Sequence, residues 1–283
     1  MRLSTYTYSD TTSVGVVTND ELVDIAQFMD DNKVTGIKGI IEADLLSQCE
    51  SYAKGRTANH KLDDIKLEPV IPNPGKIICV GINYHAHKIE TGNPDYEYPM
   101  LFTRYPESQV GHEQAMLKPR ETERFDFEGE MAVIIGKKGR RISRQDALSH
   151  VAGYSCYNDG SVRNFQRHTT QYLAGKSFVG TGGFGPWMVT ADEIPDPSKL
   201  TLETRLNGET VQSTTTDLMI NSVPAIIEYI STVLPICPGD VIVSGTPGGV
   251  GDKRTPPLYM FEGDVVEVQI SGIGTLRNTI END

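Results

Sequence analysis

The stretch Phe125-Asp126-Phe127-Glu128-Gly129-Glu130-Met131, running into the apolar Ala132-Val133-Ile134-Ile135, constrains this chain more than any other. Alternate side chains of a β-strand share a face, so Glu128 and Glu130 point the same way with backbones roughly 6.6 Å apart, while Phe127, Met131 and Val133 line the other face. Two like charges on one face repel. Either open water or a cation that draws both carboxylates inward must offset that. Hard divalent cations such as Mg²⁺ and Mn²⁺ take oxygen ligands in octahedral geometry, and two strand carboxylates with a third acid and several waters suit one. Residues 151–160, Val-Ala-Gly-Tyr-Ser-Cys-Tyr-Asn-Asp-Gly, read as a strand ending at Asp159 in a turn, where a side chain can reach into a cleft. The plain alternative for Glu128 and Glu130 is a solvated acidic face guarding a strand edge.

With 283 residues the chain is long enough for one large domain, or one large and one small. It contains no apolar run of the roughly 18 residues that would span a membrane. The start, Met1-Arg2-Leu3-Ser4-Thr5-Tyr6, lacks an apolar signal core, so neither membrane insertion nor secretion is expected. A formal charge of −12 without a basic patch argues against nucleic acid as partner. Cys49, Cys79, Cys156 and Cys237 are widely spaced with no C-x-x-C, which points to reduced thiols and a cytoplasmic location.

Along the chain, residues 13–18 and 21–26 form a candidate hairpin around Asn19-Asp20. Ile37, Ile40, Ile41, Leu45, Cys49 and Tyr52 recur at helical spacing up to Gly55, predicting one helix with a buried face. Three prolines within Pro69-Val70-Ile71-Pro72-Asn73-Pro74 mark a boundary, dividing the chain into a small N-terminal domain (1–70) and a larger one (71–283). The apolar Lys76-Ile77-Ile78-Cys79-Val80-Gly81-Ile82-Asn83 predicts a buried strand that delivers Tyr84-His85-Ala86-His87-Lys88-Ile89-Glu90. If that segment is helical, His87 and Glu90 at i and i+3 can hydrogen-bond, and such a pair can activate water; the bland alternative is an exposed polar turn. Residues 91–118, with Arg104, Ser108 and His112, show little periodicity and read as a mobile lid. Ser143 and Asp146 frame a short helix, and residues 161–168 form another that carries Arg163 and Gln166. The glycine-rich segment after Gly175-Lys176 is not a phosphate loop, because Thr170 stands where a glycine is required and no apolar strand precedes it. Asn207-Gly208 is a strong hairpin signal, Ser222 with Pro224 opens a helix, and Val241-Ile242-Val243-Ser244-Gly245 is a buried strand ending at Thr246-Pro247-Gly248-Gly249-Val250. This strand-heavy count predicts an α+β chain built on a mixed β-sheet roll or barrel.

Five blocks in register resemble the fumarylacetoacetate hydrolase family from Ile77 to the C-terminus. They are Gly81-Ile82-Asn83-Tyr84 with His87 and Glu90; Phe127-Glu128-Gly129-Glu130-Met131-Ala132-Val133-Ile134-Ile135-Gly136; Asn158-Asp159-Gly160-Ser161-Val162-Arg163 with Gln166; Gly175-Lys176-Ser177-Phe178; and Gly245-Thr246-Pro247-Gly248-Gly249-Val250-Gly251. The resemblance implies a homodimeric mixed β-roll with a small N-terminal domain. It implies that Glu128, Glu130 and Asp159 bind Mg²⁺ or Mn²⁺, with Ca²⁺ a further candidate, and that the His87–Glu90 pair sits on a lid turn and activates water. It also implies that Lys176 and Thr246 contact substrate oxygens, with Tyr84, Arg104 and Gln166 as further substrate contacts.

The implied chemistry starts from a small 2-oxo acid, whose carboxylate and adjacent carbonyl can chelate an octahedral metal. Lys176 would stabilise the enolate left when a carbon–carbon bond breaks, and water activated by His87 would attack the distal carbonyl of a 1,3-dioxo, acylpyruvate-type acid from aromatic ring cleavage. Arg104, a planar fork matched to a carboxylate, hints at a diacid. Oxaloacetate decarboxylation, or hydration or isomerisation of a 2-oxo diacid, is the alternative on the same scaffold; a non-catalytic metal-binding protein would leave His87, Glu90 and Lys176 without purpose.

Overall fold

A computed structural model describes residues 1–283. Its centre is the Gly129–Ile135 strand, buried along its whole length. Odd positions Met131, Val133 and Ile135 pack with Leu202, Val268 and Ile270, while even positions Ala132 and Ile134 pack with Ile37, Ile40 and Ile71. Both faces of this strand are therefore covered, which is why its sequence is a continuous apolar run rather than an alternation. Glu128 and Glu130 extend the even face beyond the end of the apolar packing.

The strand belongs to a twelve-stranded mixed sheet. From one edge, the order is His60–Lys61, Glu21–Asp24, Thr11–Thr18, Arg2–Tyr8, Gly182–Thr190, Val151–Asn158, Gly129–Ile135, Val241–Val243, Ile77–Gly81 and Met100–Arg104, with two short strands paired at its side. Most pairings are antiparallel, but Val241–Val243 runs parallel to Ile77–Gly81. A second sheet, in the order Glu209–Thr215, Thr201–Leu206, Val265–Ile270, Gly274–Asn282 and Met116–Lys118, covers the odd face. The sheets do not close into a barrel, so the roll expectation stands and the barrel does not. Between them Gly129 is a point of closest approach: a Cβ there would come 2.0 Å from Thr204 Oγ1.

The prolines at 69–74 divide the chain in sequence, while in space the sheet runs across that division, because Arg2–Tyr8 pairs with Gly182–Thr190. The single helix expected over residues 37–52 is two, Gly36–Glu42 and Leu46–Ala53. Asp44 between them adopts φ 56°, a left-handed conformation that aspartate tolerates and a continuous helix does not. Residues 91–118 are not one long lid either: Met100–Arg104 pairs with Ile77–Gly81, and of the whole segment Thr91, Asn93 and Phe102 line the cavity at the strand ends. The helix framed by Ser143 and Asp146 reduces to one turn, Ala147–His150. The Asn207-Gly208 hairpin forms as expected, with both residues at positive φ (52° and 82°), and Ser222 stands at the N-terminal boundary of Val223–Val233 without a side-chain capping bond. All four cysteines are free, and no helix is long and apolar enough to cross a membrane.

Candidate active site

Glu128, Glu130 and Asp159 converge where the central strands end. One oxygen from each lies within 4.8 Å of the others, and all three residues are buried. The two segments are tied directly: Glu128 N–H donates to Asn158 Oδ1 at 3.0 Å, and Asp159 N–H donates to the Glu128 carbonyl at 2.8 Å. Three buried cations face the acids. Lys176 Nζ donates to Glu128 at 2.7 Å and to Asp159 at 2.6 Å; Arg104 reaches Asp159 at 2.6 Å; Arg163 lies 2.7 Å from both Glu128 and Asp126. Burial opposes the Glu128 charge, but Lys176 and then Arg163 overcome it and hold that carboxyl down at about 2.

Glu130 is different. It has no cationic partner and accepts one backbone N–H, from Gly245 at 2.5 Å. Burial, and then the charges of Asp159 and Glu128, push its carboxyl well above the usual range. Four buried carboxylates, with Asp126 the fourth, thus face three buried cations, and the uncompensated charge falls on Glu130. Oxygen-only donors with a surplus negative charge fit a hard divalent cation, whose two charges would exceed that single surplus and leave the site receptive to an anionic ligand.

The same cavity, about 190 Å³, is lined by Glu128, Glu130, Lys176, Thr246, Gln166 and His87. His87 lies on the His85–Thr91 helix, its Nδ1 2.7 Å from Glu90 Oε1. A carboxylate can only accept, so Nδ1 carries the proton and Nε2 is left as the base. His85 is exposed and takes no part. The other Glu90 oxygen accepts Gly249 N–H at 2.8 Å, hooking the helix to the turn after Thr246. The helix is aimed by a strained turn in which Ile82 sits at φ 54°, at a cost of about 1–2 kcal/mol for a branched residue. Asn83 holds that turn: its side chain donates to the Ser244 carbonyl at 2.7 Å and to the Asn221 carbonyl at 3.0 Å, and accepts Asn221 N–H at 2.8 Å.

Thr246 lines the cavity with its hydroxyl committed, donating to the Gly129 carbonyl at 3.0 Å and accepting from Gln212 at 2.8 Å. Gln166 accepts from Arg163 at 2.9 Å. Two expected substrate contacts are elsewhere. Arg104 sits behind Asp159, its guanidinium divided among Asp159, the Gly160 carbonyl, Thr181 and Ser108, and it does not line the cavity. Tyr84 is packed in the core, its hydroxyl buried without a partner.

The motifs contained Arg163 and ran beside Asp126, while Gln212 lies outside them, and spacing gives none of the three a role. Asp126 accepts from Arg163 and from the backbone of Gly251 and Asp252; Gln212 joins Gly129 N–H, at 2.9 Å, to Thr246. The Phe-Asp-Phe-Glu stretch just ahead of the central strand, whose Phe125–Asp126 pairs with Ser161–Val162, is the one signal that could have drawn attention to Asp126.

The chain is similar to known proteins in sequence and in fold. Oxaloacetate tautomerase YisK of Bacillus subtilis is 43% identical over 225 residues, covering 78% of this chain and 75% of that protein. The structure of fumarylacetoacetate hydrolase from Exiguobacterium antarcticum superposes with a TM-score of 0.87 at 34% identity, over all of both chains. Maleylpyruvate hydrolase from Sphingobium sp. SYK-6, solved with manganese(II) ion and pyruvate, superposes with a TM-score of 0.81 at 29% identity, covering 100% of this chain and 99% of that one. With the fumarylacetoacetate (FAA) hydrolase C-terminal description matching residues 76–281, this chain belongs to the fumarylacetoacetate hydrolase family of enzymes.

Proposed function

We propose that this chain is a divalent-metal-dependent enzyme of 2-oxo acids and that its reaction is keto–enol tautomerisation of oxaloacetate or a close diacid. The observation that carries the reading is the uncompensated Glu130 in a buried acid cluster on the wall of the cavity that His87 also lines. Mg²⁺ or Mn²⁺ held by Glu128, Glu130 and Asp159 would supply a Lewis acid that polarises the 2-oxo carbonyl. His87, with Nε2 basic, takes a proton from C3 of the keto form, and Glu90 offsets the charge the imidazole gains. The Lys176 ammonium offsets the charge growing on the C2 oxygen, and return of the proton to that oxygen gives the enol. The likeness to an oxaloacetate tautomerase supports this choice of reaction. So does the size of the cavity: 190 Å³ lies below the roughly 300–1,000 Å³ of sites for larger ligands.

Hydrolytic cleavage of an acylpyruvate is the second reading, favoured by the likeness to maleylpyruvate hydrolase. There the same His87 would deliver water to the distal carbonyl, and the carbon–carbon bond would break to an acid and a pyruvate-type enolate that Lys176 stabilises. Metal-loaded protein incubated with enol oxaloacetate and with acylpyruvates separates the two. Accelerated ketonisation, without cleavage of acylpyruvates, is the expected result; acylpyruvate cleavage alone selects the hydrolase. His87→Ala should slow the reaction about a hundredfold, as for loss of a general base, with Tm and metal affinity unchanged. Full activity in that variant would end the assignment of His87.

A further inference from the structure

We infer that Arg167 and Lys253 form a seat for the second carboxylate of the substrate, which makes this a site for 2-oxo diacids over monoacids; the inference rests on the 2-oxo acid reading above. Four cationic side chains line the cavity: Arg163, Arg167, Lys176 and Lys253. Two of them are engaged at the acid-cluster end of the cavity. Arg163 is shared among Asp126, Glu128 and Gln166, and Lys176 between Glu128 and Asp159. Arg104, whose planar fork suggested a diacid from sequence, is locked behind Asp159. Arg167 is half exposed and makes one side-chain hydrogen bond, to Asp252, leaving most of its five N–H donors free. Lys253 is exposed at the same rim and has no acidic partner.

The position of this basic pair is fixed from the metal-ligand end. Asp126, two residues before Glu128, accepts the N–H groups of Gly251 at 2.8 Å and Asp252 at 3.0 Å, which pins the Gly251–Lys253 turn. It also accepts Arg163 Nε at 2.8 Å, and Arg163 opens the Arg163–Gln166 helix that leads directly into Arg167. Asp252 in turn accepts from Arg167 and, at 2.9 Å, from the Tyr259 hydroxyl. Buried bonds, not free loops, thus set the span from acid cluster to basic rim. A chain of charge −12 repels a dianion at long range, but charges beyond about 8 Å are screened at physiological salt, so the local balance at the cavity mouth decides the outcome there: unpaired Lys253 and Arg167 against the single acid Asp252 that Arg167 pairs with. A guanidinium offers a carboxylate paired, charge-assisted hydrogen bonds. A 2-oxo monoacid would leave both groups to water.

The test compares wild type, Arg167→Gln, Lys253→Gln and the double variant, loaded with Mg²⁺, by following C3 hydrogen exchange of oxaloacetate and of pyruvate by NMR. Arg167→Gln should raise KM for oxaloacetate at least about tenfold, the equivalent of one charge-assisted contact, and leave that for pyruvate within about twofold. Arg167→Lys should recover part of the loss. Calorimetric titration with 2-oxoglutarate and 2-oxobutyrate repeats the comparison without turnover. Equal losses for diacid and monoacid, or no loss for either, would overturn the assignment. If wild type exchanges hydrogen in neither acid, the proposed activity fails, and calorimetry alone judges the seat. A diacid preference that vanishes in the double variant upholds it, and a wild type without that preference overturns it.

Discussion

The wall that carries Glu128, Glu130 and Asp159 and the short helix that carries His87 face one cavity, and they are built in opposite ways. The wall is the interior of a sheet, with each acid at or near zero exposure and its neighbours hydrogen-bonded across adjacent strands. The helix has seven residues, shows His85, Ala86 and Ile89 to solvent, and is held by few bonds, the Glu90 to Gly249 N–H hook chief among them. Like charges that must be forced together need a frame that cannot relax, because any freedom would be used to move them apart. A proton-transfer group needs only correct placement when substrate is present, and a lightly tethered element can open to admit it. Loss of a wall residue should therefore appear in cation affinity or in stability, and loss of the helix in turnover alone.

The largest effect should come from Glu130→Gln. It is expected to weaken Mn²⁺ binding by more than about a hundredfold, beyond the 10–100-fold typical of groups that only orient a ligand. The metal-free protein should be no less stable, since the uncompensated charge is gone. Calorimetric affinity equal to wild type would remove Glu130 from the cation site. Lys176→Met sharpens the contrast, because it strips the counter-charge from Glu128 and Asp159. Metal-free protein should lose about 3 kcal/mol, the cost of breaking a buried ion pair, and Mg²⁺ should restore most of it. Thermal unfolding with and without Mg²⁺ checks this, and a loss that Mg²⁺ leaves untouched would mean that the lysine's role is packing. The smallest effect belongs to Tyr84→Phe. Its hydroxyl has no partner to lose, so stability should stay within about 0.5 kcal/mol and kcat/KM should not change. A tenfold fall in kcat/KM would return Tyr84 to the list of substrate contacts.

The wall was the more legible of the two regions, and the reason is geometric. Period-two alternation places Glu128 and Glu130 on one face whatever lies around them, and a strand that ends in Asp159 at a turn presents that acid at the sheet end. His87 with Glu90 was legible for a similar reason, a spacing of three in a helix. Arg104 was misread because a motif records which residue is present and not which side of the ligand it stands on; in space it braces Asp159 from behind. Tyr84 was misread because its neighbour His87 faces the cavity while the tyrosine, one residue before the helix, turns into the core. Asp126 and Gln212 act through partners far along the chain, Gly251 for the first and Gly129 and Thr246 for the second, beyond the reach of local spacing. The break at Asp44 overrode a helical periodicity that spanned it without interruption.

Gly129 separates the two glutamates, and a single methyl group there would collide with Thr204 of the facing sheet. The tolerance between the layers at this point is the size of one hydrogen atom, so the strand and its opposite number form a fixed block that sequence drift cannot loosen by degrees. The rim residues Arg167 and Lys253 stand on short surface segments outside that block. A lineage can therefore exchange one substrate for another by rewriting those segments while the cation-holding block is inherited unchanged, and a laboratory seeking new activities on this scaffold should diversify the rim and leave positions 129 and 204 alone.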